Sequence, residues 1–311
     1  MKAVIIDKVS TLIGPALEKR GIHVDYKMLP TKQELIELLP DYELLIMRVD
    51  PKIDKEILDA GKKLKAIAVC SVGTNHVDLE YASKKGIPVF NAPGANSNAV
   101  AELTISKMLD LSRMTIGADY ESRVGRLWNK YNWIGTELKN KTVGIIGFGR
   151  IGSRVCELAL AFGMRVLAND IKVSNEEITA RGAIPVSKEE LFKESDFVTV
   201  HTPLTPETKN MISKDQIALI KEGAYLINTA RGGILDEAAA YDALKAGKLR
   251  GVSIDVLSAE LAGEGLTENA KLESVLYESD CVLVSPHIGG GTIDAYDAIG
   301  EVILAKLAEI S

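Results

Sequence analysis

The stretch "KTVGIIGFGRIGSRVCELALAFGMRVLAND", residues 141–170, decides the fold. It opens on an apolar run, Val143–Ile146, short enough for a buried strand. Gly147-x-Gly149-x-x-Gly152 follows at once, and from there an amphipathic pattern runs to Phe162. A second strand-like run, Arg165–Ala168, closes the unit. Strand, glycine turn, helix, strand is the grammar of a βαβ unit. The three glycines have separate reasons to be there. Gly147 permits a tight turn, Gly149 lets an anion approach the backbone, and Gly152 lets helix and strand pack closely. Arg150 and Ile151 sit between them, at the opening of the helix, where free N–H groups and the helix dipole favour a pyrophosphate. Asp170 ends the second strand, eighteen residues beyond Gly152. A carboxylate there accepts hydrogen bonds from the adenosine ribose of NAD and repels the additional phosphate of NADP. The alternative for the glycines alone is a tight turn without a ligand; glycines and aspartate together point to dinucleotide binding.

The same alternation extends in both directions. Before the glycine unit, strands are expected at Ala3–Asp7, His23–Met28, Leu44–Arg48, Ala66–Cys70 and Pro88–Phe90. Thr31-Lys32-Gln33-Glu34 reads as a capping box opening a helix. One long helix is expected from about Asn98 to about Glu121. After it, the strand series restarts at Val143–Ile146 and continues through Arg165–Ala168, Phe197–Val200, Ala224–Ile227, Val252–Ile254 and Val282–Val284. Regular strand–helix alternation with unbroken apolar strands implies parallel sheets, hence an α/β protein. The restart near residue 98 implies a domain boundary.

Bulk properties narrow the function. A chain of 311 residues is long enough for two cores, and its formal charge of -6 argues against nucleic acid or an anionic membrane as partner. No apolar stretch approaches membrane-spanning length, and the N-terminal run Ala3–Ile6 is too short for a signal peptide. Cys70, Cys156 and Cys281 are odd in number and lack metal-ligand spacing, which suits reduced thiols in a cytoplasmic protein.

Ligands of parallel sheets bind beyond the carboxyl ends of the strands. The residues at those ends are Gly147, Asp170, His201, Thr229 to Arg231, Asp255 and His287. Arg231 is the odd one, a permanent charge at the mouth of a buried strand. It waits for an anion, unless it pairs internally with Asp236 or Asp255. Of the four histidines, His23 reads as structural, His76 as part of a loop, and His201, in "VHTPLTPET", as part of a shaped loop near the cofactor. His287 follows "CVLVSP" and stands between a structural and a catalytic role on position alone.

At this point the chain resembles the D-isomer-specific 2-hydroxyacid dehydrogenases over nearly its full length. The motifs are "SVGTNHVDL" (71–79), "NAPGANSNAVAEL" (91–103), "GTELKNKTVGIIGFGRIG" (135–152), "VHTPLTPET" (200–208), "INTARGG" (227–233), "GVSIDVLSAE" (251–260) and "VSPHIGGGT" (284–292). The resemblance implies that Arg231 holds the substrate carboxylate and polarises its ketone. It implies that His287 is the acid/base, Glu260 its partner, and that the Val72 and Gly73 amides take the other side of the carboxylate. His201, Pro203, Thr208, Thr229, Ala230 and Asp255 would line the NAD site with the glycine loop. In the common pattern a glutamate stands three residues after the aspartate of "DV" and a proline follows the catalytic acid; here those positions are Ser258 and Leu261. A solvated loop carboxylate is the alternative for Glu260.

The fold implied is a Rossmann NAD-binding domain, 98–287, plus a smaller flavodoxin-like substrate domain, 1–97 with 288–311. A helical pattern over Ala295–Ile310 would return to the latter. The region of the long helix, with Trp128 and Trp133, would form the arm of a homodimer. The partner expected is a small 2-oxo or 2-hydroxy acid. Arg48 with "GANSNAVAEL" is similar to phosphoglycerate dehydrogenases, where it would hold a phosphate; a solvated strand-end arginine is the alternative. "SVGTNHVDL", and Val69 where those enzymes carry an arginine, look more like glyoxylate and hydroxypyruvate reductases. Glu260 stands where formate dehydrogenases carry an amide. An NAD-sensing corepressor of the same fold is the reading from a different class.

Overall fold

Runs such as Leu44–Met47 and Ala66–Val69 can be strands only where both sheet faces are covered, and every residue of both is buried. The computed structural model describes residues 1–261 and 271–310. They fall into two units, 1–96 with 290–310 and 97–261 with 271–289.

The first unit runs β1 (Lys2–Ile5), α1 (Ile13–Glu18), β2 (His23–Tyr26), α2 (Lys32–Leu38), β3 (Leu44–Met47), α3 (Lys55–Ala60), β4 (Ala66–Val69), α4 (Leu79–Lys84) and β5 (Val89–Phe90). Its parallel sheet has the order β2-β1-β3-β4-β5, the flavodoxin-like order. Thr31 and Glu34 form the reciprocal capping box that opens α2. One face of the sheet packs on Leu35, Leu39, Ile57 and Leu58. The other packs on Ile13 and Leu17, and on Ile299, Ile303 and Leu307 of the last helix, α12 (Ile293–Leu307). Each such aliphatic side chain contributes about 1.5–3 kcal/mol when fully buried.

The second unit opens with α5 (Ser97–Arg113) and α6 (Thr115–Arg123). It continues through β6 (Thr142–Ile146), α7 (Arg150–Ala161), β7 (Arg165–Asn169), α8 (Asn175–Ala180), β8 (Ile184–Pro185), α9 (Lys188–Glu194) and β9 (Phe197–Val200). Then come α10 (Lys214–Leu219), β10 (Ala224–Asn228), α11 (Glu237–Lys245), β11 (Leu249–Ile254) and β12 (Val282–Val284). The parallel order β12-β11-β10-β9-β6-β7-β8 is the Rossmann order with one further strand at the β11 edge. The order reverses between β6 and β9, so the loops after these strands flank the switch point where ligands bind.

Two expectations need correction. The single helix from Asn98 to Glu121 is two helices, broken at Met114, which adopts φ 52°. The returning chain is the cause: the Thr136 amide donates to the Ser112 carbonyl at 2.9 Å, and Gly135 passes so close that a Cβ there would lie 2.1 Å from the same oxygen. The returning chain thus sits at the end of α5, where Met114 turns the backbone out of helical geometry. The edge strand β8 was not expected, because two residues ending in proline carry no strand pattern; proline is tolerated there because the strand is an edge.

Candidate active site

The glycine loop joins β6 to α7. Gly147 has φ 91° and lies against the chain after β9, so a Cβ would fall 2.7 Å from the His201 carbonyl oxygen. Gly152 packs on the turn itself, where a Cβ would lie 2.0 Å from the Gly147 oxygen. Gly149 differs from both, since a Cβ there meets nothing within 4 Å. Two glycines therefore close the turn and the third leaves open space in front of the α7 N-terminus. The Arg150 side chain is exposed beside that space, while Ile151 packs on the core.

Asp170, at the end of β7, is tied to this loop. Its carboxylate accepts from the Phe148 amide at 2.6 Å, from Lys172 at 2.7 Å and from Val173 at 3.0 Å. Partial burial pushes its pKa up, but the three amides outweigh burial and hold it below the ordinary carboxylate value. One lone pair of Oδ2 remains for a ribose hydroxyl. After β9, His201 shares a hydrogen bond with Thr199 through Nε2 at 3.0 Å, while its Nδ1 and the Thr202 hydroxyl are buried without partners among the described residues. Pro203 and Thr208 define the following loop: the Thr208 hydroxyl donates to the Pro203 carbonyl at 2.7 Å and accepts from the Thr205 amide at 2.7 Å. The open space at Gly149, the orphaned polar atoms after β9 and the acceptor at Asp170 fit a dinucleotide.

The turn after β10 is held by Asn228. Its side chain accepts from the Ala230 amide at 3.0 Å and donates to the Arg231 carbonyl at 2.9 Å. The Thr229 hydroxyl meets that of Thr104 on α5 at 2.9 Å. Gly232 allows the turn to pass Leu257, where a Cβ would lie 1.9 Å from the carbonyl oxygen. Arg231 donates from one guanidinium nitrogen to the Ala230 carbonyl at 2.7 Å and makes no ion pair among the described residues, with Asp236, Asp255 or any other carboxylate. Burial lowers its pKa, and the Glu260 charge acts in the opposite direction. A mostly buried guanidinium with four unspent N–H groups needs an acceptor.

Glu260 lies on a short 3-10 turn, Ser258–Leu261. Its Oε1 accepts from the Leu257 amide at 2.6 Å and its Oε2 from His287 Nδ1 at 2.6 Å. A carboxylate partner fixes the proton on Nδ1 and leaves Nε2 as the working atom on an exposed ring. The serine at 258 does not unseat this pair. Ser258 docks through its own amide onto Glu237 at 2.7 Å and accepts from the Gly233 amide at 3.2 Å. The glutamate of α11 thus anchors the loop from outside it.

Asp255 is spent differently from what its position suggested. Its carboxylate accepts from the Ser285 hydroxyl, from the Ile288 amide at 2.9 Å and from the Gly289 amide at 2.7 Å. It clamps the turn carrying His287. Neither Asn228 nor this use of Asp255 was found from sequence; both are polar residues at strand ends, and only the fold shows which loop each one ties down.

Arg231, Glu260 and His287, with the glycine loop, belong to the second unit. Val72, Gly73 and Arg48 belong to the first, at the carboxyl ends of β4 and β3. Among the described residues the Val72 and Gly73 amides have no acceptor. Asp7 fixes the end of β3, accepting from the Arg48 amide at 3.2 Å and the Val49 amide at 2.9 Å. The Arg48 guanidinium lies over the Tyr296 ring, 4.6 Å from its centroid.

The family model of the D-isomer specific 2-hydroxyacid dehydrogenase NAD binding domain matches residues 105–289. The hydroxypyruvate reductase of Thermotoga maritima is 36% identical over 97% of this chain and 94% of its own. The D-3-phosphoglycerate dehydrogenase of Methanocaldococcus jannaschii is 38% identical over 90% of this chain. The present chain spans about half the length of such phosphoglycerate dehydrogenases, 52% in that case and 57% for the one from Archaeoglobus fulgidus. Among solved structures, D-lactate dehydrogenase from Aquifex aeolicus, complexed with NAD and lactic acid, superposes with a TM-score of 0.81 at 33% identity, covering 98% of this chain and 95% of that one. Among the described residues no helix is long and apolar enough to cross a membrane.

Proposed function

The chain belongs to the D-isomer-specific 2-hydroxyacid dehydrogenases, and from that premise we propose that it reduces a small 2-oxo acid to the D-2-hydroxy acid with NADH, reversibly, as a cytoplasmic homodimer. The observation that carries this reading is the His287–Glu260 pair at 2.6 Å, in the same unit as an arginine that has no ion pair among the described residues.

Bound NADH supplies the hydride; the glycine loop, Asp170 and the chain after β9 hold it. The remaining work falls to side chains of this chain. Arg231 binds the substrate carboxylate through parallel N–H groups, which fixes the acid in one plane and draws electron density from the ketone. In the first unit the Val72 and Gly73 amides, without an acceptor among the described residues, offer two donors to a carboxylate oxygen. His287 holds a proton at Nε2 and gives it to the alkoxide oxygen as reduction proceeds; in oxidation it takes the proton back. Glu260 stabilises the charged ring and fixes its tautomer. Hydroxypyruvate or glyoxylate, 3-phosphoglycerate's oxo acid, and pyruvate-like acids are the candidate substrates. The Arg48 guanidinium lies over Tyr296 and makes no side-chain hydrogen bond or ion pair among the described residues, which supports a contact to a polar or phosphorylated far end. Asp170 supports preference for NADH over NADPH.

The test is the loss of NADH absorbance with each of these oxo acids, and NAD reduction with D-3-phosphoglycerate. Turnover with at least one is expected. Tight NADH binding without turnover on any of them would favour a nucleotide-sensing protein instead.

A further inference from the structure

Helix α5 carries a lysine that the reaction does not use. Lys107 is 5% exposed, although lysine is almost never buried without a partner. Its ammonium donates to the Ile254 carbonyl at 3.2 Å, the last residue of β11 and the peptide just before Asp255. No carboxylate lies within ion-pair distance of it among the described residues; burial lowers its pKa, and against that the charge of Asp255 and then that of Asp110 favour the ammonium. Asp110 is occupied elsewhere, by the hydroxyls of Thr115 and Ser106. Asp255 is 1% exposed, so its anion has almost no water to stabilise it.

Every side-chain hydrogen bond of Asp255 ends on residues 285–289, and its own carbonyl accepts from the His287 amide at 2.8 Å. His287 is held at φ 53°, a conformation that a residue other than glycine keeps only when its surroundings enforce it. The turn lies close against the carboxylate, since a Cβ at Gly289 would fall 3.0 Å from Asp255 Oδ2. We propose that Lys107 is a positioning residue: it supplies the buried positive charge against which the Asp255 carboxylate is held, and so fixes the turn that presents His287 to Glu260. The consequence for turnover rests on the dehydrogenase reading; the consequence for the turn does not.

Lys107→Met removes the charge at similar length, Lys107→Gln removes it while keeping a donor to the Ile254 carbonyl, and Lys107→Arg keeps it. Amide hydrogen exchange of the protein without cofactor reads the clamp directly. Exchange at Ile288 and Gly289 should quicken about tenfold or more in both neutral variants, with the amides of β6 and β9 unchanged. The glutamine variant covers the case in which methionine is not accommodated. Turnover should fall about ten- to hundredfold, with the Kd for NADH held and Lys107→Arg recovering most of the loss. Asp255→Asn should produce the same exchange pattern, and adding Lys107→Met to it should change little further. Unchanged exchange at residues 288 and 289 in the folded neutral variants, or fully additive effects in the double variant, overturns the proposal. Faster exchange in a protein that turns over no oxo acid even as wild type supports the clamp and removes the dehydrogenase reading instead.

Discussion

Arg231 and His287 stand out for opposite reasons, one because it is a partly buried cation with unspent donors, the other because it is an exposed ring with one nitrogen already committed. Arg231→Lys should lower kcat/KM about a hundredfold or more while leaving NADH affinity intact, because an ammonium cannot reproduce a planar fork. Near-normal KM and kcat in steady-state assays would remove Arg231 from the site. His287→Ala should lower turnover about 10²–10⁴-fold, again with NADH binding held in a fluorescence titration. A third residue makes a prediction about stability. Burial pushes the pKa of His201 from 6.5 down to about 3. The unfolded chain therefore takes up a proton that the folded protein refuses, and stability falls as pH falls through that window, by at most about 1.4 kcal/mol per unit. Above the upper value this residue adds no pH dependence. In urea melts at neutral and mildly acidic pH, His201→Gln should lose less stability on acidification than wild type; equal losses would mean that the ring is not protected. At this scale the sequence singled out the charged residues beyond buried strands, because a charge there demands an explanation. It could not show that Asp255 serves the His287 turn, nor that Glu237 rather than a residue at 258 steadies Glu260, since both depend on which loops meet.

At the scale of elements, the strands were legible because parallel strands covered on both faces read as plain apolar runs, such as β9, whose bounds match the pattern; the bounds of β12 match too, although this edge strand is only partly covered. The α5–α6 break was not, because nothing in the local pattern shows that residues 135 and 136 return to take the end of α5. Beside the glycine loop, the pattern and the packing together make a sharper statement than either alone. Gly152→Ala must move backbone, since its Cβ meets the Gly147 oxygen, and should cost about 1–3 kcal/mol in urea unfolding. Gly149→Ala meets nothing and has φ -70°, so its cost should be about 1 kcal/mol or less. Yet Gly149→Ala should weaken NADH binding markedly, because the methyl group enters the space an approaching pyrophosphate needs. Equal NADH affinity in wild type and Gly149→Ala would place the phosphates elsewhere.

At the scale of the whole molecule, the segment 115–134 cannot be explained within one chain. Helix α6 buries none of its residues. Ile116 and Tyr120 lie one turn apart on α6 and are exposed, as are its C-cap Val124 and Leu127 beyond it, and Tyr131 and Ile134 follow at 73% and 69%. Trp128 is 92% exposed, more than any other large apolar side chain described. So many exposed apolar side chains in one segment are expected at an association site rather than as ordinary scatter. For identical chains the simplest closed arrangement is two-fold, in which the same patch meets itself. The protein should therefore scatter light as a dimer at micromolar concentration. Placing a carboxylate in that surface, as in Tyr120→Glu with Trp128→Glu, should yield monomers, because burying like charges against each other is strongly unfavourable. None of these side chains belongs to either core of the second unit, so the monomer should keep its fold and its far-ultraviolet signature. A wild-type mass of one chain would end the idea. A dimer that survives both substitutions would move the interface elsewhere and leave the exposed tryptophan needing another partner.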